Sequence, residues 1–150
     1  MRKRISSYGF KVYQPSKVSL KFSHSAIFGG GPLIEWNGKK SELRWRDAYD
    51  STWYPLPTPS DIKWKAFWLL LDQSGVRNWD HDYSNPNILD GIGWDFKLTA
   101  PSLQIETSGS NAYPGSDSLA PIPGSPFDIL NTAIGIIVGC DVHTLKPPGS

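Results

Sequence analysis

The chain has 150 residues with a formal net charge of +1, 39% hydrophobic and 19% charged. That length suggests one domain able to bury a core without metal or disulfide support, and the composition is neither that of a disordered nor of a membrane protein. With one cysteine, Cys140, no intrachain disulfide can form, which argues against a small secreted scaffold.

The start, Met1-Arg2-Lys3-Arg4, is basic but lacks the apolar run of a signal peptide, so residues 1–7 are predicted to be a basic arm and the location cytoplasmic. Phe10 to Tyr13 and Val18 to Ser23 are predicted as short strands, the second because Val18, Leu20 and Phe22 alternate with polar residues. Gly29-Gly30-Gly31-Pro32 breaks the chain. Leu33 to Trp36, Asn37-Gly38 and Lys39 to Arg46 then predict a hairpin, since Asn-Gly suits a turn that needs positive φ. Pro55, Pro57 and Pro59 mark residues 47–59 as loop.

Ser60 with Asp61 forms a helix-start signal and Gly75 a stop, predicting a helix over 61–74. Ile62, Ala66, Leu69 and Leu70 make one apolar stripe and Trp64, Phe67, Trp68 and Leu71 another, so two faces are expected to be covered. A polar and aromatic connection, 76–91, follows. Ile92, Trp94, Phe96 and Leu98 then alternate with polar residues or Gly, and Leu103, Ile105 and Thr107 do so after the Ala100-Pro101-Ser102 turn, predicting a second hairpin. Residues 108–124 read as loop. Ser125, Pro126 and Asp128 open a second helix over 126–139. Gly135 and Gly139 within it imply close approach to another element, and 144–150 is a tail. The expected fold is α+β: an antiparallel sheet of five to six strands packed by two main helices, in one domain spanning 1–150.

Trp79-x-x-x-Tyr83, Asp90-Gly91-x-x-Trp94-x-Phe96-x-Leu98 and Ser108-Gly109-x-Asn111-x-Tyr113-Pro114 together form a pattern. It resembles a segment of small, mostly uncharacterised bacterial proteins and lipoprotein domains, in which a tryptophan-led hairpin precedes such a loop and a helix. The resemblance covers roughly residues 60–140 and implies a fold unit, with no activity attached to it.

The sequence offers one candidate surface. If the second hairpin pairs, the 79–91 and 108–114 connections lie side by side, bringing Trp79, Asp80, His81, Tyr83, Asp90, Asn111 and Tyr113 together as an aromatic rim for a partner or a small polar ligand. The competing structural reading gives Asn111 a left-handed turn position and puts Trp79 and Tyr113 in the core. Asp80-His81-Asp82 has general-base chemistry but no marked nucleophile beside it. Cys140-Asp141-x-His143 has two metal-capable side chains and no second pair, so neither metal nor cofactor is expected. Gly29-Gly30-Gly31 lacks the Gly-Lys-Ser/Thr ending of a phosphate loop.

Charge is uneven: residues 1–75 carry twelve Lys/Arg against six Asp/Glu, and 76–150 carry three against eight. Arg44 and Arg46 flank Trp45 on one face and, with Lys39 and Lys40, could meet nucleic acid, but a pI of about 7.8 makes that a weak reading. The expectation is therefore a non-catalytic domain that binds another protein. Inhibitors and immunity-type proteins of bacterial or phage origin fit that description by analogy. The alternatives are a small-ligand or carbohydrate binder using the same rim, a hydrolase and a nucleic-acid binder, with no membrane partner.

Overall fold

The computed structural model describes residues 11–26, 30–85, 91–115 and 121–149; the predicted arm over 1–7, Phe10 and the candidate Asp90 lie outside them. The strands are β1 (Ser19–Ala26), β2 (Pro32–Asn37), β3 (Glu42–Asp47), β4 (Tyr54–Leu56), β5 (Asp82–Ser84), β6 (Ile92–Ala100) and β7 (Leu103–Ser110). The helices are α1 (Asp61–Ser74) and α2 (Pro126–Val138). The architecture is α+β, as expected, but the sheet has seven strands in the order β4-β3-β2-β1-β6-β7-β5. It is also mixed rather than antiparallel, because β5 runs parallel to β7. The two unforeseen edge strands, β4 and β5, are three residues each. Such segments are too short for alternation to show, and they become strands by pairing with a neighbour's edge.

The helices are framed by local chemistry. Ser60 accepts a hydrogen bond from Lys63 N, and Gly75 closes α1 in the left-handed region at φ 71°. Ser125 accepts from Asp128 N, while the Asp128 carboxylate accepts from Gly124 N at 2.7 Å. Gly139 caps α2 at φ 96° instead of lying inside it, so it carries no helix-interior cost. Gly135 is the close-packed one: a Cβ there would sit 3.0 Å from the Cys140 carbonyl oxygen.

Two turns depart from expectation. Asn37 stays in β2, paired with Glu42, and the loop is Gly38 to Ser41, with Ser41 at φ 50°. Glycine is needed at position 38 for space, since a Cβ there would overlap the carbonyl oxygens of Pro15 and Val18. Lys11 to Tyr13 form no strand; Tyr13 instead packs on Trp68 of α1, ring centroids 4.9 Å apart.

Both helices cover one sheet face, and the core lies between. The inward residues of the central strands include Leu20 and Phe22 of β1, Ile34 and Trp36 of β2, and Trp94, Phe96 and Leu98 of β6. They meet Trp64, Phe67, Trp68 and Leu71 of α1 and Phe127, Leu130, Ile134 and Ile137 of α2. The other α1 stripe is not covered as expected: Ile62 is 78% and Leu69 42% exposed. Past α2, Val142 is buried and Leu145 packs against the core, so the segment leading into the tail is docked. No helix among the described residues is long and apolar enough to cross a membrane.

Candidate functional site

The second hairpin pairs along its whole length, Gly93 opposite Ser110 through Ala100 opposite Leu103. Pro101 and Ser102, at φ 62°, turn it. β5 then pairs with Ser108 to Ser110, setting the 79–85 segment against the end of β7. Trp79 and Tyr83 are half-buried there and touch Trp94 at centroid distances of 5.9 and 6.0 Å. The Trp79 indole donates to Ser74 O, the Tyr83 hydroxyl accepts from Asp80 N at 2.8 Å, and Thr107 donates to Asp80 O at 2.7 Å. Asp80, His81 and Asp82 are exposed. The Asp82 carboxylate accepts from Ser84, and among the described residues no hydrogen bond joins the His81 ring to either flanking carboxylate.

Asn111 and Tyr113 do not reach this rim; they are 4% and 1% exposed. Asn111 sits at φ 59°, donates its backbone N–H to Ile92 O and accepts at Oδ1 from Ile92 N, fastening the chain after β7 to the start of β6. A Cβ at Gly91 would overlap that amide oxygen, so Gly is required beside it. The Trp94 indole donates to Ala112 O at 2.9 Å, and Tyr113 stacks against Trp94 and Phe127. The left-handed turn position foreseen for Asn111 is therefore occupied.

What remains at the surface is a groove of about 450 Å³ lined by Val76, Arg77, Trp79, His81 and residues 104–107 of β7. A second cleft, about 650 Å³, runs between α1 and α2 beneath the exposed Ile62 and holds Ala66, Asn131 and Ile136. Asn131 Oδ1 is buried and has no hydrogen-bond partner among the described residues.

A polar chain invisible in the sequence crosses the α2 side. Asp141 Oδ1 lies 3.2 Å from His143 Nδ1, His143 Nε2 lies 2.8 Å from His24 Nδ1, and His24 Nε2 lies 2.9 Å from the Tyr113 hydroxyl. With both rings neutral only one proton arrangement satisfies every contact. Ionised Asp141 can only accept, so His143 donates from Nδ1, His24 donates to His143, and Tyr113 donates to His24. Burial, then the charge of His143, lowers the His24 pKa to about 4. Burial also raises Tyr113 to about 12. The series resembles a carboxylate-oriented base, yet it ends on a buried phenol held protonated, the opposite of an activated nucleophile. Asp141 is held below its ordinary value, first by the His143 backbone N–H and then by that ring.

Cys140 is exposed and His143 is engaged by His24; no group of three or more His, Cys, Asp or Glu converges among the described residues. Gly31 N donates to the Asp47 carboxylate, which packs against Gly30 and would repel a phosphate. The Arg44 guanidinium binds Glu35 at 2.7 Å and stacks on Trp53 at 4.1 Å, while Arg46 donates to Asp50 O at 2.7 Å. Both cations are engaged within the chain. No family model, curated protein or solved structure matches this chain.

Proposed function

We propose that this chain is a non-catalytic domain that binds another protein, through the end of the sheet where β5 meets β7. The observation that supports this reading is the groove bordered by Trp79 and His81 beside exposed Arg77 and Glu106. It combines an aromatic wall with polar groups of both signs, the pairing common at protein hot spots. Arg77 and His81 are exposed, so substituting them should leave the fold intact. The test is affinity capture from a lysate of the source cells with the unsubstituted chain and with Arg77→Glu/His81→Ala. A stoichiometric protein retained by the first and lost from the second is the expected result. Equal retention by both, or no stoichiometric partner, overturns the proposal.

A second reading, a small-ligand binder, is favoured by the cleft of about 650 Å³ between the helices, lined by Ile62, Ala66, Asn131 and Ile136. A ligand held there, at a hundred times its Kd, should add about 2.7 kcal/mol to stability. A thermal-shift screen that includes Asn131→Leu as the control checks this.

A further inference from the structure

β7 is paired with β6 over its full length, but on its other side β5 covers only Ser108 to Ser110. Which backbone groups the uncovered part presents follows from the bonds nearby. Ser108 N donates outward to His81 O, and Ser110 O accepts from Asn85 N. Asn111 N donates the opposite way, to Ile92 O. Even-numbered residues of β7 thus point their N–H and C=O away from β6, and odd-numbered residues point theirs toward it. Continued back along the strand, the alternation puts the N–H and C=O of Glu106 and Gln104 on the outer edge. Among the described residues none of these four groups has a hydrogen-bond partner.

The neighbouring chain leaves this edge open. His81 still lies alongside Ser108, but the preceding residues turn toward the helix layer, where Val76 is buried and Asp80 O accepts from Thr107 Oγ1. The space so vacated is the groove of about 450 Å³, with Val76, Arg77, Trp79 and His81 as its far wall. The opposite edge of the sheet is different in kind: β4 is three residues long and places Pro55 in it. Proline and short length are ordinary protections of an edge strand, and residues 103–107 have neither.

We infer that the edge of β7 at Gln104 and Glu106 is a β-addition slot that takes an extended segment of a partner protein as an eighth strand, collinear with β5. This rests on the protein-binding reading above and states how that surface would grip. The occupant is set by chemistry: two outward N–H donors and two outward C=O acceptors in strand spacing match the backbone of an extended chain. The slot admits roughly five residues at about 3.3 Å each. Trp79 and His81 then flank the side chains that the occupant turns toward the helix layer.

Hydrogen exchange on the free chain comes first. The amides of Gln104 and Glu106 should exchange at least tenfold faster than those of Ile105 and Thr107, which bond to β6. Equal protection of all four overturns the slot. A displayed library of unstructured decapeptides is then selected on the chain. The selected peptide should slow exchange at Gln104 and Glu106 at least tenfold. Glu106→Pro, which deletes one outward donor, should weaken binding tenfold or more, and Glu106→Gln less than threefold. Should Glu106→Pro fail to fold, Gln104→Pro takes its place, and the exchange pattern of the unsubstituted complex decides without either. A library with no binder overturns the slot. Peptide protection confined to Arg77 through His81, with Gln104 and Glu106 still exchanging fast, overturns the slot while leaving the protein-binding reading in place.

Discussion

Under α1, Tyr13, Trp36, Trp64, Phe67 and Trp68 pack largely ring edge to ring face, with centroids 4.9 to 5.5 Å apart. The indole N–H groups of Trp64 and Trp68 are buried there without a hydrogen-bond partner among the described residues. Under α2, Trp94, Tyr113, His24 and Phe127 pack as closely, with centroids 4.7 to 6.4 Å apart. Here the polar handles are engaged: Trp94 donates to Ala112 O and Tyr113 contacts His24, which contacts His143. On the α1 side Trp36 alone of these indoles donates, to Pro15 O at 3.0 Å, while Trp64 and Trp68 are held by shape. On the α2 side the bonds are more numerous, and they tie down residues 111–114 and the 3-10 turn Val142–Thr144. Rings alone can pack helix on sheet; placing loops against a core takes hydrogen bonds that a shifted loop would lose.

The strongest way to sharpen this contrast is to delete a ring from each half. Trp68→Ala and Tyr113→Ala both empty a fully buried site and should each cost ~3–5 kcal/mol in urea unfolding. Tyr113→Ala should be the worse of the two for its size, because it also removes the hydroxyl that His24 Nε2 accepts from.

Acid should separate the halves next. His24 has a folded pKa of about 4 against an ordinary 6.5, so the unfolded chain takes up its proton first as pH falls. Its contribution is fully present above pH 6.5 and is lost between 6.5 and about 4, roughly 3 kcal/mol in all. Asp95, on the open sheet face, opposes this: burial raises its pKa, so protonation relieves the folded state. Tyr113 adds an alkaline limb, with stability lost from pH 10 to about 12. Urea unfolding across pH 4–7 should show the loss, and His24→Leu should flatten it. An unchanged slope in His24→Leu would mean that the polar chain contributes nothing to the α2 half.

The same contrast explains what could be read from the sequence. Both helices were legible because Ser60, Gly75, Ser125 and Pro126 act on their own neighbours, and β6 and the first five residues of β7 because apolar and polar residues alternate there; Ser108 to Ser110, expected as loop, instead continue β7 because β5 pairs with them. The Trp79 to Tyr83 rim was legible as composition, and the turn position of Asn111 as local chemistry. Whether Tyr113 faced in or out was not, since its burial depends on α2 and β1 arriving from elsewhere. The pairing of His24 with His143 spans 119 positions and leaves no periodic trace. The open edge at Gln104 and Glu106 could be found only after β5 was seen to stop at Ser108, because an unpaired backbone group has no side-chain signature.

The smallest expected effect is also the most selective. Trp64→Phe and Trp94→Phe remove the same atoms from fully packed sites, so the transfer cost is common to both and their difference carries the cavity and hydrogen-bond contributions. Trp94→Phe strands the Ala112 carbonyl in a buried position, whereas Trp64→Phe deletes a donor that has no partner. Trp94→Phe should therefore be worse by ~1–2 kcal/mol in urea unfolding, the range for leaving a buried acceptor unmet. If the two variants cost the same, the Trp64 N–H already has an effective acceptor. The edge-to-face ring of Trp36, with its centroid 5.1 Å from that of Trp64, would then be the group supplying it.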